Sequence, residues 1–226
     1  MSVAENIEKI KKSLPDQVQL VAVSKTKPAE LILEAYQVGQ RAFGENKVQE
    51  LCRKYEELHK NIEWHYIGHL QTNKVKYIAP FVHLIHGVDS FKLLKTIDSE
   101  AKKANRTIPC LLQFHIAEEE TKFGFSLEEV ENILNSEEFK LLKNVQVSGV
   151  MGMATYTDDE TQIRKEFALL KSCFDKLKSD YFAETPEFKE ISMGMSGDYQ
   201  IAVEQGSTMV RIGSTIFGER FYTPKT

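Results

Sequence analysis

The sequence is poor in cysteine and has no long apolar segment. Its three cysteines, Cys52, Cys110 and Cys173, are far apart and form no CxxC pair. Neither a disulfide framework nor a cysteine-based zinc site is therefore indicated, and a reducing cytoplasm is the expected compartment. No apolar run is long enough to cross a bilayer, which argues against a membrane role.

The chain also lacks an excess of positive charge. It has 29 Lys and Arg residues against 33 Asp and Glu residues, giving a formal net charge of -4. Nucleic-acid binding depends on clustered cations that neutralise phosphates, so we expect no nucleic-acid partner. No Pro-, Gly- or Ser-rich linker interrupts the sequence, and we predict one domain that spans residues 1–226.

Strand-like and helix-like segments alternate along the chain after an amphipathic amino-terminal helix. Ile7, Ile10 and Leu14 have helical spacing, and the charges among them indicate a helix rather than a signal peptide. The predicted strands are 19–25, 41–46, 63–68, 83–88, 109–116, 145–153, 188–195 and 208–217. Eight strand–helix repeats predict an α/β fold, a closed (β/α)8 TIM-type barrel with an extra N-terminal helix. A doubly wound open sheet is the alternative.

Lys25 follows an apolar strand and precedes a helix predicted to begin near Pro28. In a barrel of this type, binding groups gather at the rim where the carboxyl ends of the strands meet. A lysine at this position suits a covalent Schiff-base role. The alternative is a lysine whose stem covers apolar surface while its ammonium reaches water. The segment alone leaves both interpretations open.

Two amide-rich turns lie at the carboxyl ends of the last two predicted strands. Ser196 lies after the seventh strand, and Gly213 and Ser214 lie in the eighth. The loops after strands seven and eight often hold phosphate in such barrels, so we predict a phosphate site here. Ser196 has an alternative role as the cap of a helix predicted at 199–204.

Arg211 lies within the apolar eighth strand, where its guanidinium needs an acceptor because it cannot lose its charge. One interpretation is an ion pair with a rim carboxylate such as Glu45. The other is a donor that faces a ring nitrogen of a ligand and keeps that nitrogen unprotonated. The sequence alone does not choose between them.

The histidines do not predict a metal site. His65 and His69 lie four residues apart in a strand and its following turn, too far to share an ion at about 3.3 Å per residue. His83 and His86 are predicted to point to opposite faces of their strand. We therefore predict no metal ligand. Barrel filling is the favoured interpretation for Met151, Met153, Met193 and Met195, and contact with a flat ligand ring is the alternative.

Five motifs, taken together, resemble the pyridoxal-phosphate homeostasis protein family. They are 22–28 (AVSKTKP), 43–46 (FGEN), 64–71 (WHYIGHLQ), 193–196 (MGMS) followed by Asp198, and 206–213 (GSTMVRIG). The resemblance spans nearly the whole chain. It implies a fold similar to the barrel domain of bacterial alanine racemase, with pyridoxal 5′-phosphate as the cofactor.

The resemblance also implies roles for particular residues. The implied cofactor-binding residues are Lys25, Asn46, Ser196, Arg211, Gly213 and Ser214. Lys25, rather than Lys27, is expected to carry the cofactor as a Schiff base. Arg211 is expected near the pyridine nitrogen, Asn46 close to the ring, and the other three residues at the phosphate.

Two further positions bear on the resemblance. Lys122 matches a family lysine on a mobile loop. His115 stands where many members are expected to have asparagine, so we assign it no role.

We expect a binding protein with no catalytic residue. Only a short tail follows Gly218, which leaves no room for a second domain. Racemisation needs an acid or base on each face of the cofactor, and such a domain would bring the second one. The expected function is buffering or delivery of pyridoxal phosphate in vitamin B6 homeostasis, by a monomer, with apo enzymes as recipients. The alternatives are a weak amino-acid racemase or transaminase, and a Schiff-base sugar-phosphate aldolase, whose lysine usually lies later in the barrel.

Overall fold

Eight parallel strands close into a barrel in the computed structural model, which describes residues 2–118 and 123–218. Each strand pairs with the next along the chain, and the last pairs with the first. The strands are β1 (Gln19–Val23), β2 (Ala42–Glu45), β3 (Glu63–Tyr66), β4 (Leu84–Val88), β5 (Ile108–Gln113), β6 (Val145–Met151), β7 (Glu190–Ser192) and β8 (Met209–Ile212). The closed barrel confirms the predicted TIM-type fold and excludes the open sheet.

Helices pack around this barrel and connect its strands. They are α1 (Val3–Ser13), α2 (Ala29–Gln37), α3 (Val48–Glu57), α4 (Val75–Ile78), α5 (Phe91–Lys103), α6 (Leu127–Leu134), α7 (Glu137–Lys140), α8 (Glu160–Asp180), α9 (Tyr199–Glu204) and α10 (Ser214–Phe217). A 3-10 turn, Thr72–Lys74, precedes α4. Within the described part of the chain, no helix combines the length and apolar character needed to cross a membrane.

The predicted amino-terminal helix is confirmed as α1. Its first turn is closed by a capping box, in which the Glu5 amide donates to Ser2 Oγ and the Ser2 amide donates to Glu5 Oε2. Ile7, Ile10 and Leu14 are buried, as their spacing predicts. The apolar stripe of α1 therefore covers the barrel, with α2 and α10 as its neighbouring helices.

Two strands near the carboxyl terminus are shorter than predicted. β8 ends at Ile212, and Ser214–Phe217 forms a helical turn after Gly213. A short apolar run fits either a strand or a buried helical turn, so periodicity alone could not find this boundary. β7 covers only Glu190–Ser192, because the chain turns at Gly194, which has a φ of +95°.

Six apolar side chains from six different strands form a separate cluster within the barrel. They are Val21, Ala42, Leu84, Leu111, Met151 and Met209. Met151 and Met193 are buried, as predicted for barrel filling. The same prediction is wrong for Met153 and Met195, which are 42% and 37% exposed beyond the ends of β6 and β7.

Gly149 provides a test of the tight pairing between β6 and β7. It pairs with Glu190, and a Cβ at this position would lie 1.9 Å from the Glu190 carbonyl oxygen. We expect Gly149→Ala to lower the free energy of unfolding by about 3 kcal/mol, since the backbones must separate to admit the methyl group. Urea denaturation measures this change.

The matched control is Gly197→Ala, because no atom lies within 4 Å of a Cβ built at Gly197. Its free energy of unfolding should change by less than about 0.5 kcal/mol. Equal losses in the two variants would contradict this account of the β6–β7 contact.

Candidate functional site

The predicted site residues lie at the carboxyl ends of four strands. Lys25 follows β1, Asn46 follows β2, Ser196 follows β7, and Arg211 lies in β8 with Gly213 and Ser214 just beyond. Around the closed barrel these strands are consecutive, in the order β7, β8, β1 and β2. Barrel closure thus brings the two ends of the sequence into one sector of the rim.

The loop that carries Lys25 is held by a buried ammonium. Lys54 on α3 is 1% exposed, and its Nζ donates to Ser24 O (2.8 Å), Glu45 Oε1 (2.8 Å) and Glu50 Oε1 (2.7 Å). These acceptors match the three donors of an ammonium. Ser24 Oγ also donates to Glu45 Oε1, at 2.6 Å. The backbone next to Lys25 is therefore tied to the end of β2.

Sequence reasoning missed Lys54. It lies on the same helical stripe as Leu51 and Leu58, both of which are buried. A cation on the apolar face of a predicted helix was the available signal, since a buried Lys requires paired acceptors.

Glu45 pairs with Lys54 and not with Arg211. Burial raises the pKa of the Glu45 carboxyl, and the neighbouring Lys54 ammonium opposes this shift. Glu45 Oε2 is buried and has no hydrogen-bond partner among the described residues. The interpretation of Arg211 as the ion-pair partner of Glu45 is therefore wrong, because α3 supplies the cation.

The amine of Lys27 is bound by backbone carbonyls near the end of the described chain. Its Nζ donates to Phe217 O and to Gly218 O, both at 2.9 Å, so the amine is engaged at the carboxyl end of α10. The turn between the two lysines is tight: the Lys27 amide donates to Ser24 O, and Thr26 has a φ of +64°. Lys25 itself is half-buried. These contacts fix the Lys27 amine against the backbone that follows β8.

Ser196 bridges the turns after β7 and β8. Its Oγ accepts a hydrogen bond from the Gly213 amide at 3.2 Å. The alternative of a helix cap is wrong, because α9 begins after Asp198, whose carboxylate accepts instead from the Met195 amide. Ser196, Gly213 and Ser214 therefore lie together, at the start of a helical turn whose first amides have no intrahelical acceptor.

Arg211 begins a line of buried polar groups. It is 4% exposed, and its guanidinium donates to Ser192 Oγ at 2.6 Å and to Gly152 O at 3.1 Å. Ser192 Oγ is 2.9 Å from His86 Nδ1, and His86 Nε2 is 2.9 Å from His65 Nδ1. Burial lowers the pKa of Arg211 to about 10, which leaves it protonated at neutral pH. The same cause lowers the pKa of His65 to about 3.

Asn46 presents an unused acceptor at the end of β2. Its Oδ1 is buried and has no hydrogen-bond partner in residues 2–118 and 123–218. Its backbone carbonyl accepts from the Tyr66 hydroxyl at 3.1 Å. A Cβ at Gly68 would lie 2.8 Å from that carbonyl oxygen, so glycine is required for the two loops to approach. Asn46 is thus fixed in place while its side-chain oxygen remains available to a ligand.

Three further positions, His69, His115 and Lys122, bear on the predicted rim. His69 Nδ1 is 2.8 Å from Asp89 Oδ2, and its ring contacts Phe123. The His115 amide donates to the Phe125 carbonyl. Lys122 lies outside the described residues.

The site residues fit a flat ligand that carries a phosphate, an aldehyde and a ring nitrogen. A lysine near the rim, a buried arginine, a serine beside a glycine turn and an orphaned amide oxygen match those groups. Pyridoxal phosphate combines them, and its aldehyde condenses with a lysine amine.

The buried Lys54 pair provides a test of how the Lys25 loop is positioned. We expect Lys54→Met to lower the free energy of unfolding by about 3 kcal/mol at neutral pH, because Glu45 is left buried without its cation. A carboxyl with a raised folded-state pKa stabilises most when protonated. The loss should therefore grow as the pH rises above about 4.5, the ordinary pKa of Glu45.

Denaturation at pH 5 and pH 8 measures this dependence. Lys171→Met is the matched control, because Lys171 pairs with Asp175 on the exposed face of α8. Its loss should stay below about 1 kcal/mol at both pH values. A pH-independent loss in Lys54→Met would contradict the assignment of the effect to Glu45.

Comparison with known proteins finds relatives that are similar in sequence and solved structures that are similar in fold. Residues 1–221 match the family model described as "Alanine racemase, N-terminal domain". The pyridoxal phosphate homeostasis protein of Aquifex aeolicus is 42% identical over 206 residues, covering 90% of this chain and 88% of the relative. The human protein of that name is 41% identical over 219 residues, covering 92% and 79%.

A solved structure of similar sequence has the same fold as this chain. PipY of Synechococcus elongatus, described with PLP bound, superposes with a TM-score of 0.86 and 34% identity, covering 96% of this chain and 100% of that one. The resemblance found from the motifs is thereby confirmed. The chain belongs to the pyridoxal phosphate homeostasis protein family, within the wider family of the alanine racemase N-terminal domain.

Proposed function

We propose that this protein binds pyridoxal 5′-phosphate at the rim sector formed by β7, β8, β1 and β2, as a Schiff base on Lys25. It buffers or delivers the cofactor and does not catalyse a reaction. The observation that supports this most directly is the convergence of Lys25, Asn46, the Ser196–Gly213 turn and Arg211 at the ends of four consecutive strands. The names of the relatives and the PLP described in PipY support the same ligand.

The phosphate would bind at the turn where Ser196 meets Gly213. The Ser196 hydroxyl and the first amides of α10 supply neutral donors. Arg211, buried in the adjoining strand, would donate to the ring nitrogen and Asn46 would contact the ring. These roles use side chains that the local packing already holds in place.

The position of Arg211 supports a role in holding the cofactor rather than in catalysing a reaction on it. When bound, pyridoxal phosphate supplies an electron-withdrawing ring, and the ring withdraws most strongly when its nitrogen is protonated. A guanidinium with a pKa of about 10 remains a donor at neutral pH and cannot pass a proton to that nitrogen. The residues around the proposed site thus retain the cofactor without strengthening it as an electron sink.

The covalent attachment predicts a spectral difference between lysine variants. Addition of pyridoxal phosphate to the wild type should give a violet-absorbing band that is absent in Lys25→Ala. Lys27→Ala is the matched control and should keep the band, because the Lys27 amine is engaged with the carbonyls of Phe217 and Gly218. A band in Lys25→Ala, or none in the wild type, would overturn the proposed attachment.

A carrier should transfer its cofactor without turning over amino acids. Wild type loaded with pyridoxal phosphate and freed of excess ligand should activate an apo enzyme that requires it. The unloaded protein should give no activation. The loaded protein should racemise or transaminate alanine no faster than free pyridoxal phosphate does. Sustained turnover that is lost in Lys25→Ala would instead establish the enzyme alternative.

A further inference from the structure

A second cluster of polar side chains lies at the opposite, amino-terminal end of the barrel. Glu63 and His65 are two residues apart on β3, and His83 immediately precedes β4. The His83 amide donates to Trp64 O at 2.8 Å, which holds His83 against β3. One ligand atom from each of Glu63, His65 and His83 lies within 4.8 Å of the others.

His65 offers an unused nitrogen to this cluster. The ring is 1% exposed, and its Nδ1 is engaged with His86 Nε2 at 2.9 Å. Its Nε2 is buried and has no hydrogen-bond partner within the described chain. A buried polar atom without a partner costs free energy, so this atom is explained if it binds a ligand. The His83 ring stacks on His65, with centroids 5.4 Å apart.

We propose that Glu63, His65 and His83 bind a divalent transition-metal ion of the zinc class, with water completing the coordination. Two imidazoles and one carboxylate form a common donor set for zinc. Zinc–ligand distances of about 2.0 Å place tetrahedral ligand atoms roughly 3.3 Å apart. The exposed His83 and the half-buried Glu63 can rotate to reach this separation, while His65 is fixed.

The polar line through the barrel provides the outer support that metal-binding histidines require. With the metal on Nε2, His65 keeps its proton on Nδ1 and donates it to His86 Nε2. His86 Nδ1 then donates to Ser192 Oγ, which also accepts from Arg211. The reverse set of tautomers leaves a buried N–H on His65 without an acceptor.

Solvent access to the cluster is available. A pocket of about 370 Å³ is lined by both His65 and His83. Glu187, Lys189 and Glu190, the last of which is the first residue of β7, also line it. A metal ion can therefore enter from the amino-terminal end of the barrel, without passing the rim proposed to hold pyridoxal phosphate. The two sites can be tested separately.

The earlier prediction of no metal ligand considered pairs within single strands. His65 lies within β3, whereas His69 lies in the loop beyond it and is paired with Asp89 at the rim. The cluster instead joins His65 to a histidine that is 18 positions later in sequence and adjacent in the barrel.

Cobalt titration of the untagged full-length protein, after chelator treatment, tests this proposal. Co²⁺ should produce visible ligand-field bands that saturate at one ion per chain and disappear when Zn²⁺ is added. His83→Asn and Glu63→Gln should each weaken Co²⁺ binding by at least about 10-fold. His59→Asn is the matched control, since His59 is exposed and stacks on Tyr36 away from the cluster.

Circular dichroism must show that each variant is folded before its affinity is compared. Lys25→Ala should bind Co²⁺ like the wild type, which separates this proposal from that of cofactor binding. Absence of saturable bands in the wild type would overturn the metal site. So would a Co²⁺ affinity that is unchanged in both folded variants, His83→Asn and Glu63→Gln.

Discussion

The rim of this barrel depends on one buried ammonium. Lys54 lies under the ends of β1 and β2 and donates to a backbone carbonyl and two carboxylates. Removal of an ammonium from water is costly, and only a full set of acceptors makes it tolerable. The geometry that satisfies Lys54 also fixes Ser24, and so the direction in which the chain presents Lys25.

A second constraint is the line of polar groups through the barrel interior. Arg211, Ser192, His86 and His65 form a continuous series of hydrogen bonds from the carboxyl-terminal rim to the amino-terminal end. Apolar side chains fill the interior around them. Each member fixes the position of the next, so the orientation of Arg211 at the rim depends on residues on β7, β4 and β3.

Sequence reasoning recovered the fold because strand and helix signals repeat with a regular period. The eight strands, the helices α1 and α9, and the family resemblance could all be read from local pattern and motif. Contacts between distant segments could not be predicted from local pattern. The pairing of Glu45 with Lys54, rather than with Arg211, depends on which helix covers the end of β2.

The same limit applies to the ends of elements. The alternative role of Ser196 as a helix cap is wrong, because α9 begins after Asp198 and the serine faces Gly213 instead. The register of β3 and β4 joins His65 to His83, which spacing within one strand could not reveal. Local propensity predicts the elements, whereas barrel closure decides which side chains meet.

The most direct test of the account is to identify the lysine that carries the cofactor. The wild type would be loaded with pyridoxal phosphate, reduced with borohydride, digested, and mapped by mass spectrometry. The account predicts a single reduced adduct on the peptide that contains Lys25, at Lys25 rather than at Lys27. An adduct at any other lysine, or no adduct at all, would contradict it.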